Sequence, residues 1–119
     1  MISEEQIEEV KNKLVENYQP DKIILFGSYA REDSDLDLII VKDGIENRSR
    51  FDRYSEAIIA IRGKTSAKGL VRGISLDVFV YSYDELKKLN HPYNFFIINA
   101  LKEGKILYER QKGHIKSVA

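Results

Sequence analysis

The chain has 119 residues, 43% of them hydrophobic and 32% charged, a size and composition typical of one folded domain and not of a disordered tail. Its 19 lysine and arginine residues balance 19 aspartate and glutamate residues, which argues against a dedicated nucleic-acid-binding protein, because such proteins need an excess of cations to neutralise phosphates. The absence of cysteine excludes disulfides, thiolate zinc sites, iron–sulfur clusters and thiol nucleophiles.

Helical and strand-like patterns alternate along the chain. Ser3 and Gln6 form a capping-box pattern, and the apolar spacing after them predicts a first helix over 3–18. Phe51, Tyr54, Ile58 and Ile61 form an apolar stripe at helical spacing, which predicts a second helix over 47–62. Short apolar runs predict strands over 22–26, 36–41, 74–81 and 106–108, and shorter helices are expected over 83–89 and 93–103.

These elements predict a single domain, 1–119, of the α/β (α+β) class. The run Leu36–Val41 is almost wholly leucine, isoleucine and valine, so we expect this strand to be covered on both faces. No apolar run approaches the roughly 18 residues that cross a bilayer, and the first residues are acidic where a signal peptide is basic. We therefore expect a soluble, cytoplasmic protein without a membrane partner.

The zero net charge conceals an uneven distribution. Residues 1–46 carry 12 acidic and 5 basic side chains, whereas residues 47–72 carry 7 basic and 2 acidic ones. Two solvated faces would explain this pattern. This is the more common explanation, and the alternative is a carboxylate metal site opposite cationic groups that hold a polyanion.

The segment Leu25–Val41, of sequence LFGSYAREDSDLDLIIV, carries the most informative pattern. A strand runs into Gly27 and Ser28, a short polar loop follows, and Asp35 and Asp37 open the next strand. Residues two apart in a strand leave the same face about 6.5 Å apart along the chain. Two such carboxylates can converge on one Mg²⁺ ion, which takes oxygen ligands at roughly 2.0–2.1 Å.

Asp77 lies in the run ISLDVFV, which is otherwise suited to burial. An unpaired ionised carboxylate in such a strand costs several kcal/mol, so we expect Asp77 to have a strong partner. A second metal ion shared with Asp35 and Asp37 would supply that partner. Three carboxylates on two neighbouring strands are typical of the two-metal sites that promote phosphoryl or nucleotidyl transfer.

Gly27, Ser28 and Arg31 suit the phosphates of such a reaction. Glycine lets backbone N–H groups approach a phosphate closely, and the Ser28 hydroxyl can donate to a triphosphate oxygen. Arg31 adds positive charge nearby in the sequence. Each feature taken alone is more often a turn, a cap or a strand edge, but their order and spacing together indicate a nucleotidyltransferase site.

The pattern G-S…S-D-x-D-L followed by a later strand carboxylate resembles the nucleotidyltransferase superfamily of DNA polymerase β, and the size and the ending Glu103–Glu109 resemble its shortest members, the minimal nucleotidyltransferases. The resemblance implies a small mixed sheet flanked by helices, two Mg²⁺ ions and a nucleoside triphosphate, usually ATP. Position by position it assigns the triphosphate to Gly27 and Ser28 and the metals to Asp35, Asp37 and Asp77, with Asp77 beside the acceptor hydroxyl and assisting its deprotonation.

The loop between the two halves of this motif departs from the family pattern. Only the six residues 29–34 separate Ser28 from Asp35, which is shorter than is usual in the family. Glu32 stands where the family often has a glycine, and Asp33 adds further negative charge. Fewer backbone donors and more negative charge would weaken the binding of a nucleotide while leaving the three carboxylates in place.

Members of this size resemble the antitoxin half of two-gene pairs whose other half is a small helical protein of the HEPN class. That resemblance implies an acceptor tyrosine on the partner, which is silenced by adenylylation or by complex formation. The shortened loop keeps open a second interpretation, a catalytically weak or inactive module that neutralises its partner by binding. A small-molecule nucleotidyltransferase is disfavoured because no second domain is evident, and a nuclease would not need Gly27 and Ser28.

Overall fold

The computed structural model describes residues 2–27, 36–63, 74–89 and 94–111. Within these ranges the helices and strands follow one another in this order: α1 (Glu4–Asn17), β1 (Lys22–Phe26), β2 (Leu36–Val41), α2 (Arg50–Arg62), β3 (Leu76–Tyr81), α3 (Tyr83–Lys87), α4 (Phe95–Glu103) and β4 (Lys105–Glu109). The predicted class, a small mixed sheet flanked by helices, is confirmed.

The four strands form one sheet in the order β3-β2-β1-β4. β1 lies between β2 and β4 and is antiparallel to both, whereas β2 and β3 run parallel. The parallel pair has α2 between its strands in the chain, as parallel neighbours require a crossover connection. Because β1 runs opposite to β2 and β3, the end of β1 and the beginnings of β2 and β3 lie at the same end of the sheet.

The two faces of the sheet bury separate apolar clusters. One face packs against α1 and α2, whereas the other packs against α4 and includes Ile24, Phe26, Ile39 and Tyr81. Every residue of β2 except Asp37 is buried, which confirms that this strand is covered on both faces. Because side chains alternate along a strand, Leu36 and Leu38 face α1 and α2, and Asp37 shares the α4 face with Ile39.

The first helix begins as its sequence predicts. The Ser3 side chain accepts a hydrogen bond of 3.1 Å from the backbone N–H of Gln6, and the Gln6 side chain accepts one of 2.8 Å from the backbone N–H of Ser3. These two bonds satisfy donors that the first turn of a helix otherwise leaves without partners.

The second helix buries a different stripe from the one its apolar residues predict. Its buried residues are Arg53, Ala57, Ala60 and Ile61, whereas Phe51 is 75% exposed and Tyr54 is 40% exposed. Small alanines let α2 approach the sheet closely, and the two aromatic side chains at its start lie outside this contact. The predicted apolar stripe is therefore wrong for the first half of the helix.

Arg53 is a core residue and does not belong to a solvated basic face of the kind that would explain the charge of residues 47–72. Its side chain is 6% exposed and forms two hydrogen bonds of 2.8 Å with the Glu85 carboxylate. The same guanidinium donates to the backbone carbonyls of Arg48, Ile45 and Val80. The hydrogen bonds from Arg53 hold the pKa of Glu85 below its ordinary value, against the opposing effect of burial.

The remaining boundaries differ from the sequence prediction by a few residues. β3 begins at Leu76 and not at residue 74, whereas β4 extends over Lys105–Glu109, beyond the predicted 106–108. In the described ranges no helix has both the length and the apolar character needed to cross a bilayer.

Candidate active site

Gly27 follows the last residue of β1 and lies against the carboxylate of Asp37. In the antiparallel pairing of β1 and β2, Phe26 is the register partner of Asp37. Gly27, the next residue along the chain, therefore lies next to the Asp37 side chain. Gly27 has a φ of +83°, a conformation that other residues adopt only with strain. A Cβ at this position would overlap Oδ2 of Asp37 and lie 3.1 Å from its Cγ. The conformation therefore favours glycine here, and any other residue would also have to displace the Asp37 carboxylate.

Asp37 and Asp77 lie side by side on neighbouring strands. They are register partners in the parallel pairing of β2 and β3, and neighbouring strands in a sheet are about 4.8 Å apart. Both side chains project from the face of the sheet that packs against α4. The residues before and after each aspartate face α1 and α2 instead, and side chains alternate along a strand. The structure thus places these two predicted site residues at partner positions on adjacent strands.

The surroundings of Asp77 differ from the sequence prediction. The run around it indicated burial, but Asp77 is exposed, because β3 is the outermost strand of the sheet and residue 77 is near its beginning. Asp37 is only partly exposed. Exposure removes the desolvation cost that was expected to demand a buried partner, and it leaves the carboxylate accessible to a ligand.

These two carboxylates suit a divalent cation. Adjacent anionic oxygens repel one another, and a cation between or beside them offsets that repulsion. Oxygen-only donors match the preference of Mg²⁺. The donor set therefore fits a Mg²⁺ ion held by Asp37 and Asp77.

Three of the predicted site residues, Ser28, Arg31 and Asp35, lie outside the described residues. Their assignments, to the triphosphate for Ser28 and Arg31 and to the metals for Asp35, remain predictions. Within the described ranges no group of three or more histidine, cysteine, aspartate or glutamate side chains is arranged to hold a metal ion. The structure thus brings together Gly27, Asp37 and Asp77 of the six predicted residues.

An aromatic cluster lies on the same face of the sheet as the two carboxylates. The rings of Phe26, Phe79 and Phe96 contact one another with centroid separations of 5.5, 5.7 and 6.1 Å, two of the three pairs edge to face. The sequence analysis did not assign these residues to the site. The alternation of side chains along a strand could have identified Phe79, because it follows Asp77 by two residues and therefore lies on the same face of the sheet.

A cleft of about 470 Å³ opens beside Gly27 and this cluster. It lies between the end of β1 and α4, and its lining includes Phe96, Asn99, Glu103 and Lys105. The aromatic Phe96 is 57% exposed, so an apolar surface remains available in the cleft. A cleft of this volume with a few polar groups is typical of a small-molecule site.

Comparison with known proteins gives the family to which this arrangement corresponds. The family model described as "Polymerase beta, Nucleotidyltransferase" matches residues 8–113. A protein of Methanocaldococcus jannaschii named "Putative protein adenylyltransferase" is 37% identical over 116 residues, which cover 91% of this chain and 100% of that protein.

Two solved structures share the fold. A crystal structure described as a "putative nucleotidyltransferase" from Sulfolobus solfataricus has a TM-score of 0.53 at 24% identity and covers 92% of this chain and 87% of its own. BolA1 from Arabidopsis thaliana has a TM-score of 0.51 at 17% identity over 70% of this chain and 98% of its own, which shows a likeness in backbone arrangement only. The match of the family model over most of the sequence is decisive: the chain belongs to the polymerase beta nucleotidyltransferase family.

Proposed function

We propose that this chain is a Mg²⁺-dependent enzyme that transfers AMP from ATP to a hydroxyl group of a partner protein. The observation that carries the proposal is that Asp37 and Asp77 are partner residues at the end of the sheet where Gly27 follows β1. The name of the M. jannaschii relative, a protein adenylyltransferase, supports ATP as the donor and a protein as the acceptor.

Asp35, Asp37 and Asp77 would hold two Mg²⁺ ions, which supply charge neutralisation at the α-phosphate and at the leaving oxygen. Gly27, Ser28 and Arg31 bind the triphosphate in this proposal, and the cleft beside Phe96 receives the nucleoside.

The acceptor oxygen forms a bond to the α-phosphorus while the bond from that phosphorus to pyrophosphate breaks. The exposed carboxylate of Asp77 lies where an acceptor can reach it and takes the hydroxyl proton. The products are an adenylylated acceptor and pyrophosphate. No side-chain nucleophile is required, because positioning and charge account for the catalysis.

The resemblance of the sequence to antitoxin-type members supports a tyrosine of a HEPN-class protein as the acceptor, with adenylylation silencing that protein. A reaction that uses ATP in a chain without cysteine suits the cytoplasm. Direct binding of nucleic acid plays no part in this proposal, since the net charge is zero.

The proposal is tested by incubating the purified chain with Mg²⁺, labelled ATP and the product of the adjacent gene, which the proposal takes to be the HEPN-class partner. We expect label on that protein with the wild-type chain and none with Asp35→Asn/Asp37→Asn. Failure of the wild-type chain to label any protein, together with tight binding of the partner by both forms, would contradict the enzymatic proposal.

That last result would instead support the second candidate, a binding module that neutralises the partner by occupancy. The sequence of segment 29–34 favours this candidate, because six residues can offer few backbone donors and two of the six, Glu32 and Asp33, are acidic.

A further inference from the structure

We propose that an extended segment of the acceptor protein pairs with the outer edge of β3. This pairing brings a hydroxyl side chain of that segment beside Asp77. This inference rests on the proposed function, since it names how that same site receives its acceptor. It follows from the backbone of β3, from one arginine that covers part of its edge and from the groove beside it.

Half of the backbone groups of β3 face away from the sheet. The backbone carbonyl of Tyr81 accepts from the N–H of Lys42, and that of Ser75 accepts from the N–H of Leu36, so the odd-numbered residues bond toward β2. Because the direction alternates along a strand, Val78 and Val80 direct their N–H and C=O groups outward. In the described ranges β3 pairs with β2 alone and is the last strand in the order.

Arg53 closes one end of this outer edge. Its Nη1 atom donates a 3.1 Å hydrogen bond to the carbonyl of Val80, which confirms the outward direction of that residue. The guanidinium is buried and fixed by Glu85, so it stays at this end. A docked strand is thus directed to the N–H and C=O of Val78, which is the residue next to Asp77.

A groove of about 350 Å³ runs along this edge from Asp77 to Tyr81. Its other wall is the start of α2, where Phe51 and Tyr54 expose apolar surface and the Arg50 guanidinium lies 5.8 Å from the centre of the Tyr81 ring. The five residues from Asp77 to Tyr81 extend over roughly 15 Å, so the groove is longer than one amino-acid side chain and suits an extended segment.

These features define the chemistry of the occupant. Strand addition takes its affinity from main-chain hydrogen bonds and its specificity from side-chain contacts. The exposed aromatic rings suit an apolar side chain, and Arg50 suits an acidic one. The occupant is therefore an extended protein segment with apolar and acidic side chains and a hydroxyl residue placed at the Asp77 end.

The experiment removes the outward N–H of Val78 without altering the pairing of β3 with β2. Val78→Pro lacks that donor, and proline is tolerated on an edge strand where the N–H faces outward. Val78→Ala is the matched control, because it also reduces the buried side chain but keeps the N–H. The probe is a set of synthetic peptides selected on the wild-type chain from random sequences with a fixed central tyrosine.

We expect the selected peptides to be rich in acidic and aliphatic residues and to bind Val78→Ala about tenfold more tightly than Val78→Pro. ATP binding is expected to be equal in the two variants. Hydrogen exchange at the Val78 amide should slow when the peptide binds to the wild-type chain. Should Val78→Pro not fold, peptides methylated at successive backbone nitrogens test the same pairing from the side of the ligand.

Equal affinity of both variants for the peptides, or a failure to select any peptide, would overturn this inference. The outcome is separable from that of the proposed function. Binding that needs the Val78 N–H but yields no adenylylated tyrosine retains the docking edge and contradicts the enzymatic proposal. Adenylylation that proceeds equally in both variants retains the enzymatic proposal and contradicts the docking edge.

Discussion

Gly27 is subject to two separate restrictions, its φ of +83° and the carboxylate of Asp37 beside it. Gly44 has nearly the same φ, +81°, but a Cβ there would meet no atom within 4 Å. The two glycines therefore distinguish the cost of conformation from the cost of displacing Asp37.

We expect Gly27→Ala and Gly44→Ala each to lower the free energy of unfolding by at least about 1 kcal/mol, since alanine is strained at positive φ. Only Gly27→Ala should abolish nucleotidyl transfer and raise the Kd for ATP, because its Cβ displaces the Asp37 carboxylate. Urea denaturation and ATP titration measure the two effects. An equal loss of transfer in both variants would show that the Asp37 contact is irrelevant.

Asp77 is an exposed carboxylate, so its contribution to function is separable from stability. Asp77→Asn should change the free energy of unfolding by less than about 0.5 kcal/mol and reduce the rate of transfer by about 100-fold or more. Asp84→Asn, at another exposed aspartate, is the control and should leave the rate unchanged. An active Asp77→Asn enzyme would remove Asp77 from the site.

At the scale of elements, the buried Arg53 of α2 forms an ion pair with the carboxylate of Glu85 in α3. The hydrogen bonds from Arg53 lower the pKa of Glu85, so this ion pair stabilises the fold above the ordinary glutamate pKa of about 4.5. The contribution is lost as the pH falls through the lower pKa of the folded state.

Glu85→Gln removes this pH-dependent contribution. The wild-type chain should unfold at a higher urea concentration than Glu85→Gln at pH 7, and the difference should shrink as the pH falls below about 4.5. Asp84→Asn, one residue away and exposed, is expected to show a smaller change. A difference that is constant between pH 7 and pH 3 would mean that the charge of Glu85 does not stabilise the fold.

The elements themselves were largely predictable from the sequence, because period and capping depend on local residues. The Ser3 capping box predicted the start of α1 closely, and the apolar run Leu36–Val41 predicted the bounds of β2. The buried side of α2 was not predictable in this way. Its contact with the sheet depends on the small Ala57 and Ala60 and on a long-range partner for Arg53, none of which an apolar stripe indicates.

The site was predictable only in part for a similar reason. The Gly27 and Asp37 pattern is local and specific, whereas the place of Asp77 depends on the order of strands. Asp37, at the partner position on the internal strand β2, is partly exposed, whereas Asp77 is exposed on β3, which is outermost among the described strands. The aromatic cluster also depends on three elements that meet only in the folded chain.

At the scale of the whole molecule, the excess of negative charge in residues 1–46 includes the proposed metal ligands. Mg²⁺ with a non-hydrolysable ATP analogue should raise the melting temperature of the wild-type chain, because a ligand that binds only the native state stabilises it by about 2.7 kcal/mol at 100 times its Kd. Asp37→Asn should lose this increase. The analogue with EDTA is the control, and an equal increase in EDTA would contradict a metal-dependent site.

Asp37, Asp77 and Gly27 are proposed to form a centre for nucleotidyl transfer. This is tested most directly by comparing ATP labelled on the α-phosphate with ATP labelled on the γ-phosphate, in the presence of Mg²⁺ and the proposed acceptor protein. We expect the acceptor to gain the α-label alone, pyrophosphate to carry the γ-label, and Asp37→Asn to transfer neither. Transfer of the γ-label to the acceptor, or α-label transfer that persists in Asp37→Asn, would contradict this proposal.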